Sequence, residues 1–492
     1  MTICPEERCT GCGACQSACP ADCVALALNR AGDRVAVIDE SRCTHCGKCS
    51  RICPVLHPPV LRESRTALAA YAVEAQVRQS SASGGAAAVL ARQVVESGGC
   101  AYGAAFTAPT TVKLVRVDAP AQLSRLQGSK YVHAATGSAY RKVQADLKAG
   151  RQVLFTGTPC QVAGLYAYLG SDPPELTTCD LVCHGVPEAD TLTAYLQTEL
   201  NPTAIARLTF RDRDGWVMKA YGRDGGVLRR MDLKNSLYYN GFMEGYLYRR
   251  GCYTCPYATE KRVADLTLGD FWGIGEETPY PNAAAELKKG LSLILVHTDK
   301  GQALLNACAP ALVTAVRTPA EAVKKNHQLR HPTPDSPAAR RFHRLYGKKG
   351  AAYAIAHCNE KKRRTLRLRR TIRHCPPLLA LCSKTSSLYA FNDWMDANIF
   401  FTMGKSMLSG KVLYRDVFDH KGPVLYLLYG LGWLLDHTGF IGVFVLEICG
   451  FAVFLGLGLC TAELLRGKPL HPVWCLVPAA AVAACRAFSH GG

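Results

Sequence analysis

The chain opens without an export signal. Met1-Thr2-Ile3-Cys4-Pro5-Glu6-Glu7-Arg8 has neither a basic n-region nor an apolar h-region. Its cysteines are therefore not expected to meet an oxidising compartment, which argues against a disulfide framework. Acidic residues are also scarce, 39 against 58 Lys and Arg, for a formal net charge of +19. Spread evenly, that excess would suggest a nucleic-acid surface, but Arg340 to Arg373 alone carries 13 Lys and Arg and one acid, Glu360. A basic run ahead of an apolar region reads as a positive-inside membrane flank, so no nucleic-acid partner is expected. The composition of a disordered chain is absent too, since 48% of residues are hydrophobic and 20% charged. At 492 residues the chain exceeds one ordinary core, and two or three domains are expected.

What the sequence has in excess is cysteine, 24 in all. Many thiols without export point to metal ligands. Cys9-x2-Cys12-x2-Cys15-x3-Cys19-Pro20 recurs as Cys43-x2-Cys46-x2-Cys49-x3-Cys53-Pro54. The x2 spacings wrap three sulfurs round one face of a cubane, and the fourth cysteine of each run serves the other cluster. One [4Fe–4S] cluster should take Cys9, Cys12, Cys15 and Cys53, the other Cys43, Cys46, Cys49 and Cys19. Structural zinc would explain one group of four but not a duplicated run ending in proline. Gly11, Gly13 and Gly47 let amides approach the sulfides. Cys4 and Cys23 fall outside the spacing and read as spare thiols. The module resembles bacterial two-cluster ferredoxins, with Arg34 to Asp39 as the strand between the motifs.

Residues 66–345 alternate short apolar runs with helical patterns, as an α/β domain does. Arg151 to Thr156 reads as a strand, broken at Gly157-Thr158-Pro159 before a helix from Gln161 to Leu169. Glu175 to Val182 and Ser292 to His297 read as further strands, followed by helices Glu188 to Leu200 and Gln302 to Leu312. Cys160 and Cys183 lie in turns after strands, where such sheets place their sites, and Cys252-x2-Cys255 forms a further pair. Cys100 and Cys308 read as core.

Ser83-Gly84-Gly85, Gln127-Gly128-Ser129-Lys130-Tyr131, the Gly157 to Gln161 turn, Cys183-His184-Gly185 and Leu268-Gly269-Asp270-Phe271-Trp272-Gly273 occur in one order. Together they resemble the coenzyme F420 hydrogenase/dehydrogenase beta-subunit family. That resemblance implies bound FAD and a third [4Fe–4S] cluster, whose ligands carry over to Cys160, Cys183, Cys252 and Cys255. Cys179, four residues earlier on the same strand, competes with Cys183. The Ser83, Gly84 and Gly85 turn precedes a small-residue helix, Ala86 to Val95, whose amides and dipole could hold a diphosphate. Gly128, Ser129 and Lys130 would add a loop with a cation, and Gly157 and Thr158 a further cofactor-binding turn. Asp270 is placed near the flavin or as a turn cap. His184 is a proton donor or a structural histidine.

From about Tyr389 the chain resembles the start of a polytopic membrane glycosyltransferase, through Asn392-Asp393-Trp394-Met395-Asp396, Tyr414-Arg415-Asp416 and Asp419-His420-Lys421-Gly422-Pro423. Asp396 or Asp393 would be the counterpart of that family's base. Gly439 to Leu465 is long enough to span a bilayer, with only Glu447 charged.

The expected architecture is an α+β ferredoxin-like cluster module (1–56), an α/β flavin domain (66–345), a basic linker (346–387) and C-terminal membrane helices (388–492). The expected protein is an iron–sulfur flavoprotein oxidoreductase at the cytoplasmic face of the cell membrane, in contact with a redox partner protein or ferredoxin. A small-molecule acceptor completes the reaction, coenzyme F420 being one candidate. A glycosyltransferase-like neighbour would link it to cell-surface polysaccharide synthesis. The rival readings are a non-catalytic electron-transfer subunit and a glycosyltransferase fragment.

Overall fold

The computed structural model describes residues 2–211, 215–276, 279–366, 395–417, 423–466 and 470. The chain divides into two units, Met1–Asn359 and Glu360–Gly492.

In the first unit the cysteine motifs flank a hairpin of β1 (Val24–Leu28) and β2 (Arg34–Ile38), paired from Val24 with Ile38 to Leu28 with Arg34. Each motif carries a left-handed pair of residues at matching places. These are Gly11 (φ +63°) and Gly13 (φ +80°) in the first, His45 (φ +51°) and Gly47 (φ +67°) in the second. A short helix follows each pair, Ala14–Ala18 and Lys48–Arg51. The positive φ values bend the chain so that successive cysteines face one centre.

The rest of the unit is built on two further sheets. Its strands begin with β3 (Thr66–Ala72), β4 (Cys100–Ala108), β5 (Thr111–Val117), β6 (Val153–Gly157) and β7 (Leu176–Leu181). Next come β8 (Arg207–Thr209), β9 (Met218–Tyr221) and β10 (Val227–Met231), which form a small antiparallel sheet of their own. The last are β11 (Leu266–Asp270), β12 (Ser292–Val296) and β13 (Leu312–Arg317). The larger sheet has eight strands in the order β13-β3-β12-β11-β7-β6-β4-β5. Its central strands β4, β6, β7 and β11 are parallel, and antiparallel strands close both edges. Val153, Leu154 and Phe155 of β6 are all buried, as a parallel strand covered on both faces requires. One core on one face gathers Leu90, Leu154, Cys179 and Leu266; Tyr102, Phe155 and Val162 pack into another. Cys100 and Cys308 are fully buried, as core residues.

The helix following β6 is Pro159–Leu169. Its N-terminus has a full capping box, in which Thr158 and Gln161 satisfy each other's backbone amides, and left-handed Gly170 ends it. The helix expected over Gln302 to Leu312 stops at Ala307. Leu312 instead opens β13, whose register with β3 claims the rest of the apolar run. The helix Pro337–His357 runs through residue 346, where the linker is expected to begin.

In the second unit three helices are described, Met395–Leu408, Pro423–Leu435 and Ile441–Arg466. The last, 26 residues long, is long and apolar enough to cross a membrane. The helices meet through small residues: a methyl on Gly430 would lie 3.0 Å from the Gly404 carbonyl oxygen, and Gly432 abuts Gly442 and Val443. Asn392, Asp393, Trp394 and Asp419, and the side chain of Asp396, lie outside the described residues.

Candidate functional site: cysteine cavities and the carboxyl edge of the sheet

The module holds two cysteine-lined cavities. One, with about 330 Å³ of open space, is lined by Cys9, Cys12, Cys15 and Cys53. The other, of about 310 Å³, is lined by Cys43, Cys46, Cys49 and Cys19. The fourth cysteine of each motif thus crosses to the other cavity, the grouping expected from the spacing. None of the 20 described cysteines is in a disulfide. Among the described residues no three His, Cys, Asp or Glu are grouped tightly enough to hold a single ion. Four cysteines round each cavity are the donor set that the repeated spacing calls for in a [4Fe–4S] cluster.

Each cavity also has a fifth cysteine that the spacing did not single out. Cys4 lines the first and Cys23 the second. The Cys4 thiol hydrogen-bonds Cys9 and Cys53 and thereby draws both down to about 6. The sulfurs of Cys19 and Cys23 are 3.3 Å apart, and the Cys23 amide donates to the Cys19 sulfur. The two cavities differ in depth. Cys9, Cys12, Cys15 and Cys53 are buried, whereas Cys46 is exposed and Cys43 and Cys49 are half-buried.

A third group assembles in the larger domain. Cys160 lies in the first turn of the helix after β6, Cys183 lies two residues past β7, Cys252 ends a 3-10 segment, Arg250–Cys252, and Cys255 lies in the turn beyond it. Burial raises all four thiols, Cys183 to about 12 and Cys255 to about 11. Their mutual proximity adds to this, through Cys160 and Cys255 at Cys183 and through Cys183 and Cys255 at Cys252. Four such thiols resist ionising together unless a cationic core compensates them, which is the donor set a cluster needs. Cys179 is excluded from the group: it is fully buried in the core shared by Leu154 and Leu266. Cys12, of the deeper module cavity, lies near Cys160, which raises it further beyond the effect of burial.

Beside this group runs the carboxyl edge of the parallel strands. Asp270 ends β11 opposite Ser292 of β12. The Ser83-Gly84-Gly85 turn packs there: a side chain on Gly84 would strike the Ala70 carbonyl and stand 2.7 Å from the Ser292 amide. Gly84 is thus required for close approach of two backbones. Left-handed Gly85 caps the helix Ala86–Glu96, and the buried Ser83 hydroxyl has no hydrogen-bond partner. Gly157 and Thr158 serve the capping turn, with the Thr158 hydroxyl 3.2 Å from the Cys160 sulfur.

Two expectations change. Lys130 does not present a free cation. Its ammonium donates to the carbonyls of Gln127 (2.7 Å), Leu126 (3.0 Å) and Arg125 (3.4 Å), and burial lowers it to about 8. Asp270 is not a turn cap, because its carboxylate pairs with Arg211 at 2.7 Å. Gly128 turns the loop with φ +77°, and the Ser129 hydroxyl bonds Tyr131. His184 lies near Asp270 and 6.1 Å from the His327 ring; burial, then His327, lowers it to about 4.

The residues missed in the sequence are Arg211, Trp216 and Phe242, which join Tyr131 and Trp272 in one stacked group. Arg211 lies over Trp216 at 4.3 Å, Trp216 stacks on Trp272 and on Tyr131, and Tyr131 stacks on Phe242 at 4.3 Å. Only the Gln127 to Tyr131 and Leu268 to Gly273 motifs pointed this way, and neither names Arg211 or Trp216.

Crossed cysteine cavities in a duplicated motif, next to a third cysteine group, define an iron–sulfur electron-transfer protein. Residues 8–56 match the 4Fe-4S dicluster domain, and residues 150–322 match the family described as the C terminus of the coenzyme F420 hydrogenase/dehydrogenase beta subunit. Over these two stretches the chain is similar to a dicluster iron–sulfur module and to that beta-subunit family. Among solved structures it is similar to a chain of the F420-reducing [NiFe] hydrogenase complex from Methanosarcina barkeri in its xenon derivative. The identity there is 18%, over 65% of this chain and 94% of that one, with a TM-score of 0.38. No curated protein matches the chain. Both matched stretches end before the C-terminal unit, so no match supports the glycosyltransferase resemblance.

Proposed function

We propose that the chain is a flavin-dependent oxidoreductase that relays electrons between a one-electron protein carrier and a two-electron small-molecule acceptor. Three [4Fe–4S] clusters would be held by Cys43, Cys46, Cys49 and Cys19, by Cys9, Cys12, Cys15 and Cys53, and by Cys160, Cys183, Cys252 and Cys255. The observation that carries the reading is the succession of these groups: exposed Cys46, then the buried module cavity, then Cys12 beside Cys160. The last group opens at Cys183-His184 onto the carboxyl edge.

Electron entry is favoured at the exposed cavity. Lys48 lines it, Arg42 and Arg51 flank its cysteines in sequence, and residues 41–61 contain no acid. An acidic carrier of the ferredoxin type would be steered there.

Bound FAD would supply the conversion between single-electron and paired-electron transfer. The chain's own part is to bind and orient. The Ser83 hydroxyl, buried and unpartnered, is available to a ligand oxygen, and the amides after Gly85 favour an anion. Tyr131, Trp216 and Trp272 offer flat faces and exclude water. Asp270 fixes Arg211 beside them. His184, kept neutral at physiological pH because burial disfavours its charged form, would offer a ring N–H as a hydrogen-bond donor and not an imidazolium proton. The acceptor is thus of the hydride-accepting class, coenzyme F420 among the candidates. The Ile441–Arg466 helix and the basic run would hold the chain at the cytoplasmic face of the membrane.

Anaerobic iron, sulfide and flavin analysis tests the reading, followed by stopped-flow mixing of the reduced protein with candidate acceptors. About 12 irons, one FAD and turnover of an acceptor are expected. Full iron without flavin or turnover would leave a non-catalytic electron-transfer subunit instead.

A further inference from the structure

Arg249 is a buried guanidinium, 2% exposed, lying between two of the cysteine groups. Its Nη2 donates to the carbonyl oxygen of Cys9 at 3.0 Å and to that of Arg34 at 2.8 Å. Gly11, between Cys9 and Cys12, has no room for a side chain because the guanidinium fills that space. On the other side, the Arg249 carbonyl accepts from the Cys252 amide at 2.9 Å. One residue therefore touches the ligand-bearing backbone of the deeper module cavity and that of the third group.

The surrounding charges are few. Glu188, equally buried, pairs with Nη1 at 2.9 Å; one of its oxygens also accepts from the Arg34 amide, and the other has no hydrogen bond. His133 stands 3.4 Å from Nη1 and is kept neutral by burial, then by Arg249. Asp33 is taken by Arg250, and the Arg34 side chain by Asp190. The Arg249–Glu188 pair is thus shut away from water, where screening is weak and a charge acts over several ångströms. The exposed cavity of Cys19, Cys43, Cys46 and Cys49 has no such contact with Arg249 among the described residues.

We propose that Arg249 is a shared positioning residue that sets the reduction potentials of the two buried clusters together, with Glu188 as its counterweight, and leaves the exposed cluster alone. This rests on the cluster assignment above. Reduction adds one negative charge to a cluster, and a nearby guanidinium stabilises that state. One charge serving both sites moves their potentials in the same direction, so the step between them stays nearly level.

The test is an EPR-monitored redox titration of the full chain, with the exposed cluster's signal assigned by its loss in Cys46→Ser. Glu188→Gln keeps the shape and removes the opposing charge. It should raise two of the three midpoint potentials and leave the exposed cluster's unchanged. Arg249→Gln should lower the same two, and Arg249→Lys, which keeps the charge, should lie nearer the wild type. Should Arg249→Gln lose iron, the Glu188→Gln titration decides alone. Unchanged potentials with about 12 irons present, an equal shift of all three, or a shift of only one buried cluster would overturn the proposal. Wild-type protein with about eight irons would instead refute the cluster assignment.

Discussion

Gly164 lies against Cys12: a methyl on Gly164 would stand 2.9 Å from the Cys12 Cβ and 3.1 Å from its sulfur. The same helix, Pro159–Leu169, carries Cys160 in its first turn. A single element thus presents one cysteine group and abuts the next, which ties the module to the larger domain.

Gly164→Ala is a contest between two effects. Alanine favours a helix interior by about 1 kcal/mol over glycine. Overpacking against Cys12 and the Tyr140 hydroxyl costs about 1–3 kcal/mol. The cost should win, lowering stability in denaturant titration and slowing cluster-to-cluster transfer. A stabilised variant with wild-type kinetics would show that the contact relaxes freely.

Cys160→Ser, Cys252→Ser and Cys255→Ser should each lower the iron content by about four and leave the module's two clusters intact. Cys4→Ser and Cys23→Ser should keep all the iron, since each adds only a fifth cysteine beside a complete set. Iron and sulfide analysis, with EPR of the reduced protein, separates the two classes. Full retention of iron in Cys252→Ser would remove that residue from the ligand set.

Flavin retention should depend on the aromatic cluster and not on Lys130. Trp216→Ala and Arg211→Ala should weaken FAD binding by about tenfold or more, from lost stacking and a lost charged partner of about 1.4 kcal/mol together. Lys130→Met should bind FAD nearly as the wild type does, because its ammonium is spent on three carbonyls. Equilibrium dialysis of the apoprotein measures this. Loss of flavin in Lys130→Met alone would reverse the assignment.

Stability should fall in mild acid. His297 is 2% exposed, hydrogen-bonded to Thr267 at 2.9 Å, and lowered to about 4, first by burial. Between about pH 6.5 and 4 the unfolded chain binds a proton here that the folded chain refuses. The neutral folded form is therefore fully favoured above about pH 6.5 and loses up to about 3 kcal/mol as the pH falls to about 4. Urea unfolding of residues 1–359 at pH 7 and pH 5 should show a smaller difference in His297→Gln than in the wild type. Equal differences would assign the acid sensitivity elsewhere.

Fractionation should recover the full chain in membranes and a chain ending at Asn359 in the soluble fraction. The Ile441–Arg466 helix satisfies its own backbone bonds in lipid. A soluble full chain would make it an ordinary apolar helix.

The module was legible in the sequence because its chemistry is local. Two x2-x2-x3 runs fix which sulfurs can face one cubane, and the crossed sharing of Cys19 and Cys53 follows from the same spacing. The strand at β6 and the helix after it were legible for a similar reason, since an apolar run breaks at Gly157-Thr158-Pro159 and gives way to a helical pattern. Spacing could not reveal that Cys4 and Cys23 lie in the cavities, because neither belongs to a repeat. Nor could it choose between Cys179 and Cys183 on one strand pattern. The end of β7 at Leu181 places Cys179 in the core and Cys183 in the turn beyond. Arg211 and Asp270 are 59 positions apart, Arg249 and Cys9 are 240 apart, and only packing brings either pair together. The sequence by itself determined the two repeated cysteine runs and their crossed grouping. The tertiary structure decided which charges lie beside them, because burial and side-chain direction depend on contacts between segments that no local pattern encodes.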